Sequence, residues 1–367
     1  TMLDAISKVG ELNHRADQAS DQENEALLRQ AQTIVRSALE STAFNQHTRH
    51  AEFLNLQLAN MLRDNDEVLA LSESLITAHG DQHSMYKVQA IYEQARKLES
   101  VEAQQAKFRQ GMAIAQQLNE PVIYAKGANY LAISLTREAK FEQALAMFKE
   151  VYTIYSEYQC FNGLSYALNN LSWVNQRAGN LPQSIASAAQ QKLLAEEYSL
   201  KTSVSRALYN MAIVYGEQGD RYAADQFLDQ GLERFMQLSE SEQRNYQRVY
   251  ADMLRERAQS LIRVGDYVAA RDAVRGAHKQ YQDLGYTRDV ARMKLLDGEI
   301  AVAESRFEDA RKLLLDGLAY YKKTGQARIE SLTHLRIAEL EISQKNWVMA
   351  SNHNASALKL LSQTEDY

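Results

Sequence analysis

A helical segment that returns at a fixed spacing is the feature that most constrains how this chain folds. In residues 141–155 the apolar side chains recur every three or four residues, which places them on one face of an α-helix. The small residue of that face, Ala144, has counterparts in similar apolar frames at Ala270, Ala310 and Ala350. Internal repetition of this kind is typical of a solenoid. The sequence therefore predicts tandem helical units.

The small residue serves as a marker that divides the chain into nine units. The usual interval between markers is 40 residues, with one interval of 33 and one of 46. Two of the markers depart from the small-residue rule. The longest interval predicts one lengthened helix over residues 242–264, starting just after Ser239. The nine markers are Ala31, Leu71, Gln104, Ala144, Ser184, Ala224, Ala270, Ala310 and Ala350.

Composition agrees with a chain that is helical almost everywhere. Only 2 prolines and 15 glycines occur in 367 residues, and no run of alternating β-branched residues suggests a strand. Single hydrophobic cores stop growing near ~250–300 residues, whereas a solenoid unit needs only its neighbours. We therefore predict an all-α, right-handed α-solenoid of about nine helical hairpins. It is expected to form one domain over 1–367, with 1–49 as an atypical capping repeat and 50–362 as regular repeats.

Charge and cysteine content narrow the function classes. A net charge of −6 argues against a general nucleic-acid binder. No run of 18 apolar residues and no signal-peptide pattern occurs, so no membrane span is expected. The lone Cys160 cannot form an internal disulfide, which leaves the compartment open. The cytoplasm is favoured, and the periplasm fits if the segment is an excised sensory region.

Three groups of residues match parts of one pattern. Its first helix carries Leu, a small residue and, three positions later, Tyr, and its second helix carries Ala, then Phe four positions later and Ala three after that. The groups are Leu131, Ala132, Phe141, Ala144 and Phe148; Met211, Ala212, Tyr215, Gly219 and Ala224; and Ala258, Gly265, Asp266, Tyr267, Ala270 and Ala277. The pattern resembles the tetratricopeptide (TPR) repeat, closely over 50–362 and loosely over 2–49. It departs in its spacing, since the standard repeat has about 34 residues, and in lacking the helix-ending proline. Longer repeats of this kind are similar to the TPR regions of bacterial regulators, including MalT-type activators, quorum-peptide regulators, and sensory regions of diguanylate cyclases or kinases.

The resemblance implies that the first helix of each pair lines a concave face. Asn amides there would pair with the backbone of an extended peptide, aromatic rings would supply rigid contact area, and a basic row would suit an acidic peptide or a free carboxylate. The candidate binding residues are Lys126, Asn129, Tyr130, Arg137, Tyr166, Asn169, Asn170, Trp173, Arg177, Arg206, Tyr209, Asn210, Arg255, Gln259 and Arg263.

A structural interpretation of the same residues stays open. The Asn side chains can bond to one another within the stack, the Tyr and Trp rings can belong to the core, and the arginines can pair with Glu138, Glu217 or Glu256. The family's carboxylate-clamp pattern is only partly present, through Asn170, Asn210 and Arg206.

Catalytic and metal-binding patterns are weak. The sequence has no Gly-rich phosphate loop, no nucleophile elbow and no zinc-protease motif. His79, Asp81 and His83 lie close in sequence at a helix joint, as do His47 and His50, and a solvated turn is the favoured interpretation of both groups. We therefore expect no enzymatic activity, no cofactor and no metal site.

Three functions are compatible with these observations. The first is a non-catalytic peptide- or protein-binding scaffold in the sensory or regulatory part of a bacterial signalling or transcription-regulating protein. The second is a small-molecule sensor controlling an attached DNA-binding or cyclase domain. The third is a self-associating structural subunit that uses exposed terminal repeats, which allows a homo-oligomer.

Overall fold

A computed structural model of the protein describes residues 1–19, 21–41, 47–80 and 84–363. Within these ranges the chain forms 19 α-helices and no strand, which confirms the all-α prediction. The helices fall into two compact units, each described by itself. Unit 1 comprises Thr1–Ala224 with Gln237–Asn245, and unit 2 comprises Asp225–Met236 with Tyr246–Tyr367. The single-domain organisation over 1–367 stays a prediction.

Unit 1 is built from helical hairpins. The first helix of each hairpin packs against its own second helix and also against the first helix of the next hairpin, so α3, α5, α7, α9 and α11 form a continuous layer. The helices are α1 (Met2–Gln18), α2 (Asp21–Ser41), α3 (Thr48–Met61), α4 (Asn65–His79), α5 (Met85–Lys97), α6 (Val101–Gln117), α7 (Pro121–Arg137), α8 (Phe141–Glu157), α9 (Phe161–Arg177), α10 (Leu181–Glu197) and α11 (Lys201–Glu217). The start of α12 (Arg221–Met236) and the short α13 (Glu240–Asn245) also belong to unit 1.

Unit 2 repeats the same packing with the rest of α12 and three hairpins. The aromatic rings of Phe235 and Tyr250 stack 4.5 Å apart, which holds the end of α12 against the next first helix. The hairpin helices are α14 (Gln247–Val264), α15 (Tyr267–Asp283), α16 (Thr287–Ala303), α17 (Phe307–Lys323), α18 (Ala327–Ser343) and α19 (Trp347–Gln363). None of the helices in the described ranges is long and apolar enough to cross a bilayer.

The lengthened helix predicted over 242–264 is wrong, because the chain breaks at Tyr246 into α13 and α14. The predicted start is correct, since the Ser239 backbone N–H donates to Glu242 Oε2 at 2.9 Å. A long-range contact lies beside the break. Arg244 donates to the carbonyl oxygens of Ala16 and Ala19 at the end of α1, where the Ala16 oxygen also accepts from the Ala19 backbone N–H.

The joints within the hairpins are tight because one residue adopts a left-handed backbone. Glycine fills this position in some repeats, as at Gly179 with a φ of 78°. In others a residue with a side chain does so, including Ala139 at 58°, Ser305 at 60° and Lys345 at 60°. This conformation reverses the chain within three residues and brings the two helices of a hairpin side by side.

The core of unit 1 contains a phenol ring enclosed by glycine. Tyr92 on α5 is fully buried, and a methyl group added at Gly111 or Gly127 would overlap its ring or its hydroxyl. Burial raises the pKa of the Tyr92 hydroxyl. That hydroxyl has no hydrogen-bond partner among the described residues. The two glycines therefore make room for the ring, while its polar end stays uncompensated.

The last hairpin of unit 2 contains a pair of imidazoles in direct contact. His334 Nδ1 on α18 and His353 Nδ1 on α19 lie 2.8 Å apart, so one nitrogen must donate a proton to the other. Burial lowers the pKa of both rings. The charges of Glu330 and Lys322 act on His334, and those of Glu341 and Arg311 act on His353. Protonating both imidazoles would remove the hydrogen bond and set two positive charges side by side.

We predict that Gly127→Ala destabilises the protein by about 1–3 kcal/mol, because the new methyl group overpacks the Tyr92 hydroxyl. Tyr92→Phe should leave stability unchanged or raise it by up to about 1 kcal/mol, since it removes an unpaired buried hydroxyl. Thermal melting of the purified variants measures both. Gly10→Ala, at a helical glycine with open space around it, is the matched control. Equal melting temperatures for the Gly127→Ala and Gly10→Ala variants would contradict this account.

We also predict that the last hairpin weakens in mild acid. The imidazole pKa is about 6.5 in the unfolded chain and lower in the folded one, so the unfolded state binds more protons. The stabilisation is therefore complete above pH ~6.5 and is lost as the pH falls through the folded-state pKa. Urea unfolding, followed by the fluorescence of Trp347 in a Trp173→Phe background, measures this local stability. His334→Gln should flatten the pH dependence, and the control His278→Gln should leave it in place.

Candidate functional site

The predicted binding residues of unit 1 lie on three neighbouring first helices, and we call the surface they form the first-helix face. Residues 40 or 41 positions apart on successive first helices are in direct contact across this face. The contact follows from the repeat length, since each hairpin returns the chain to the same register one helix further on. The face carries Lys126, Asn129, Tyr130 and Arg137 on α7; Tyr166, Asn169, Asn170, Trp173 and Arg177 on α9; and Arg206, Tyr209 and Asn210 on α11.

Four asparagines form a continuous hydrogen-bonded ladder across the face. Asn210 Nδ2 donates to Asn169 Oδ1 at 2.9 Å. Asn169 Nδ2 donates to Asn170 Oδ1 at 3.0 Å. Asn170 Nδ2 donates in turn to Asn129 Oδ1 at 2.8 Å. The ladder thus joins α11, α9 and α7 through side-chain amides alone.

The ladder uses only part of the hydrogen-bonding capacity of these amides. Each Asn side chain has two N–H donors and an oxygen with two lone pairs, and each ladder bond takes one of each. Asn170 is 9% exposed, and the other three are half-buried. Asn is a poor helix former because it competes with the backbone, so the interhelical bonds give these mid-helix positions a structural reason. The remaining donors and acceptors are chemically suited to a backbone amide.

Two tyrosines of the face lie against guanidinium groups. Arg206 Cζ on α11 lies 5.8 Å from the centre of the Tyr166 ring on α9. Arg96 Cζ on α5 lies 5.3 Å from the Tyr130 ring on α7. Both distances are within the range of cation–π attraction. Tyr166 is exposed, whereas Tyr130 also packs 5.5 Å from the Phe108 ring and so belongs partly to the core.

Positive charge gathers where α5 meets α7. Glu93 Oε2 is 2.7 Å from Arg96 Nη1, and Glu93 Oε1 is 3.9 Å from Lys126 Nζ. Burial lowers the pKa of Lys126, an effect that Glu93 opposes. Burial and the Arg96 charge lower the pKa of Lys97. Three cations thus share one carboxylate, which makes this end of the face favourable for an anion.

The ends of the first helices carry further charge. Arg137 and Arg177 are the last residues of α7 and α9, and both are exposed. The corresponding residue of α11 is Glu217, whose Oε1 accepts from Gln176 Nε2 at 2.6 Å. Glu138, a possible partner for arginine in the sequence, instead accepts from Gln105 Nε2 at 2.7 Å. Trp173 and Tyr209 are half-buried on their helices.

Three predicted binding residues belong to unit 2. Arg255 on α14 is 8% exposed. Its guanidinium group donates to Asp252 Oδ1 at 2.8 Å, to the Tyr281 hydroxyl at 3.0 Å and to Glu256 Oε1 at 2.7 Å. This is the structural role that the sequence left open for the arginines. Gln259 is half-buried and Arg263 is exposed on the same helix.

The prediction missed Glu93 and Arg96. The distances from the marker that gave the binding residues of α7, applied to the third unit with its marker Gln104, give Glu93 and Lys97. The sequence therefore carried a signal for Glu93, whereas Arg96 falls outside these distances. That signal went unused because the third unit follows a 33-residue interval and its marker is not a small residue.

The histidine groups provide no metal site in the described part of the chain. No cluster of three or more His, Cys, Asp or Glu side chains there could hold an ion. His50 Nδ1 lies 3.1 Å from the Tyr86 hydroxyl. The group of His79, Asp81 and His83 lies outside the residues whose side chains are described.

Comparisons with known proteins agree on the fold. No protein-family model matches the sequence, and no curated protein matches it. The apo form of the quorum sensor NprR from B. thuringiensis superposes with a TM-score of 0.61 at 14% identity, over 98% of this chain and 99% of that one. Aspartyl phosphate phosphatase F from Bacillus subtilis gives 0.60 at 14% identity, over 98% and 94%. A Rap protein complexed with competence and sporulation factor gives 0.59 at 13% identity, over 99% of both chains. The chain therefore has the fold of the TPR-type helical repeat proteins.

Proposed function

We propose that the first-helix face of unit 1 binds an extended acidic peptide, or such a segment of a protein, without catalysing a reaction. The observation that carries the proposal is the asparagine ladder, whose amides keep hydrogen-bonding capacity in the middle of a face rich in cations. The protein would serve as the sensory or regulatory part of a bacterial signalling or transcription-regulating protein.

The ladder suits a peptide backbone in its chemistry. An extended peptide presents backbone N–H and C=O groups along its length. Side-chain amides can pair with both kinds of group, since each offers a donor and an acceptor. Because the ladder bonds fix the orientation of all four amides, little side-chain entropy remains to be lost when a ligand binds. Pre-organised amides of this kind bind a ligand at a lower entropy cost than exposed, freely rotating amides do.

Charge selects the kind of peptide. On the first-helix face and the adjoining end of α5, cations outnumber acids by six to two, on a protein whose net charge is −6. Guanidinium groups bind carboxylates through paired hydrogen bonds, which are stronger than neutral ones. An acidic side chain or a free carboxyl terminus of the ligand would therefore be attracted. The cations are Arg96, Lys97, Lys126, Arg137, Arg177 and Arg206, and the acids are Glu93 and Glu217.

The similar structures support a regulatory peptide-binding role. One is a complex of a Rap protein with competence and sporulation factor, and another is a quorum sensor. A third is an aspartyl phosphate phosphatase. The first-helix face of the present chain is made of amide, aromatic and guanidinium groups, which suit recognition rather than bond cleavage. We therefore propose binding alone.

We predict that Asn210→Ala weakens peptide binding about tenfold, or about 1.4 kcal/mol, while melting stays close to that of the wild type. Asn210 ends the ladder and gives up one ladder bond. Asn170→Ala should lower both affinity and melting temperature, because this buried side chain both donates and accepts in the ladder. The probe is an acidic peptide selected from a random library on the purified chain, with affinity measured by fluorescence anisotropy.

Asn162→Ala is the matched control, since Asn162 is an exposed residue of α9 outside the ladder. It should bind the selected peptide as the wild type does. If Asn210→Ala also binds unchanged, the ladder is structural and the proposed function fails. Selection of sugars or other small molecules instead of peptides, in a thermal-shift screen of the same chain, would favour the small-molecule alternative.

We further predict that Arg177→Met lowers the affinity for an acidic peptide and reduces its dependence on salt. Arg177 is exposed at the end of α9, so its loss should leave folding intact. Salt screens exposed charges over about 10 Å at 0.1 M ionic strength, which makes the salt slope a direct readout of the charge contact. Lys149→Met is the control, because it removes the same charge from an exposed residue on α8. Equal salt slopes for the two variants would argue against an acidic ligand.

A further inference from the structure

Unit 2 contains an arginine that is held between two carboxylates. The Arg248 guanidinium group on α14 donates to Asp252 Oδ2 at 3.1 Å and to Asp289 Oδ2 at 2.9 Å. Its Cζ atom lies 5.2 Å from the centre of the Tyr281 ring. Tyr281 is fully buried, and its hydroxyl donates to Asp252 Oδ1 at 2.7 Å. The charge of Arg248 is therefore compensated within the protein.

One repeat later the arginine and the buried tyrosine return, but both carboxylates are replaced. An arginine takes the place of the first carboxylate, and an isoleucine takes the place of the second. An ion pair between residues four apart on α14 thus becomes a pair of like charges on α16, which is unfavourable in a helix. The equivalent residues, forty positions on, are Arg288, Tyr321, Arg292 and Ile329, in place of Arg248, Tyr281, Asp252 and Asp289.

The two arginines of α16 lie near one another without a counter-ion. Burial raises the pKa of Tyr321 to about 12, and the charges of Arg292 and Arg288 both oppose this rise, so both guanidinium groups lie near the same hydroxyl. Both arginines are exposed. Among the described residues, no carboxylate forms an ion pair with either guanidinium group. Asp289, which follows Arg288 in the chain, is bound to Arg248 instead.

Hydroxyl groups belong to the same neighbourhood. The Tyr320 hydroxyl also acts on Tyr321, and it lies 3.2 Å from Thr287 Oγ1 at the start of α16. Thr287 is exposed, and Tyr320 is half-buried. A hydroxyl can donate a hydrogen bond to an anion, so this part of unit 2 offers neutral donors beside the two cations.

We propose that Arg288 and Arg292 bind a phosphate monoester group, which takes the place of the missing carboxylates. The preceding repeat supplies two negative charges, through Asp252 and Asp289, so the charge that is missing is that of a dianion. A phosphate monoester carries a charge of about −1.5 to −2 at pH 7, whereas a carboxylate carries a single charge. Guanidinium groups also bind phosphate oxygens through paired hydrogen bonds. The site belongs to unit 2 and does not rest on the function proposed for the first-helix face of unit 1.

The test is the binding of phenyl phosphate to the full chain, measured by isothermal titration calorimetry. Arg288→Gln and Arg292→Gln should each lower the affinity at least about tenfold, because each removes charged hydrogen bonds. Arg275→Gln is the matched control, since it removes the same charge from an exposed arginine of α15 that is paired with Asp272. It should bind as the wild type does. A wild type without saturable binding overturns the proposal, and so does an equal loss in Arg275→Gln.

Arg292→Asp tests the missing counter-ion directly, because it restores the charge pattern of the preceding repeat. The new carboxylate would stand four residues from Arg288, as Asp252 stands from Arg248. Binding of phenyl phosphate should be lost, while the melting temperature should equal or exceed that of the wild type, since an attractive pair replaces a repulsive one. A variant that keeps the wild-type affinity overturns the proposal.

Further titrations identify the ligand and separate this site from the first-helix face. Benzoate, with a single charge, should bind at least about tenfold more weakly than phenyl phosphate, and equal affinities overturn the proposal. Arg177→Met, in the first-helix face, should leave phenyl phosphate binding unchanged, and a loss there overturns the proposal too. A phosphoserine peptide that binds more tightly than phenyl phosphate, and loses that affinity in Arg288→Gln, would identify a phosphorylated protein as the source of the group. Equal affinities would identify a small phosphate ester, and both results support the site.

Discussion

Direct packing of each first helix against the next is the constraint on which the described structure depends. Where the repeat has 40 residues, it makes two 17-residue helices and two short joints, so each such hairpin returns the chain to the same register. Residues 40 or 41 apart then face one another, whether they are amides, rings or charged groups. The first-helix face of unit 1 is therefore a product of the repeat length itself. A change in that length would disconnect the asparagine ladder.

The asparagine ladder has a structural role that is compatible with the proposed role in peptide binding. Its bonds hold three first helices together, in a partly buried setting where an unpaired amide is costly. The same bonds orient the amides and leave part of their capacity unused. Structural and binding roles, which the sequence posed as alternatives, are thus compatible in Asn129, Asn169 and Asn210. Arg255 differs, because its guanidinium group is buried and bound to Asp252, Glu256 and Tyr281.

Much of the fold could be predicted from the sequence because it is set by local periodicity. The apolar helical face found over residues 141–155 lies within the helix observed at Phe141–Glu157. The sequence-based predictions are wrong or incomplete where contacts between residues far apart in the sequence are involved. Next to the break at Tyr246, Arg244 contacts Ala16 at the end of α1. The two residues are 228 positions apart in the sequence, so no local pattern predicts this contact. The contact of Glu93 and Arg96 with α7 was missed for a related reason, since an irregular interval hides the register of the third unit.

The left-handed joints affect which amino-acid substitutions this protein can tolerate. A residue with a side chain in that conformation costs about 1 kcal/mol relative to glycine, and Ala139, Ser199, Ser305 and Lys345 all adopt it. Each such joint is a place where a single glycine substitution would raise stability without touching the first-helix face or the cores. Glycine substitutions at several of these joints could therefore offset the loss of stability caused by destabilising changes in the first-helix face.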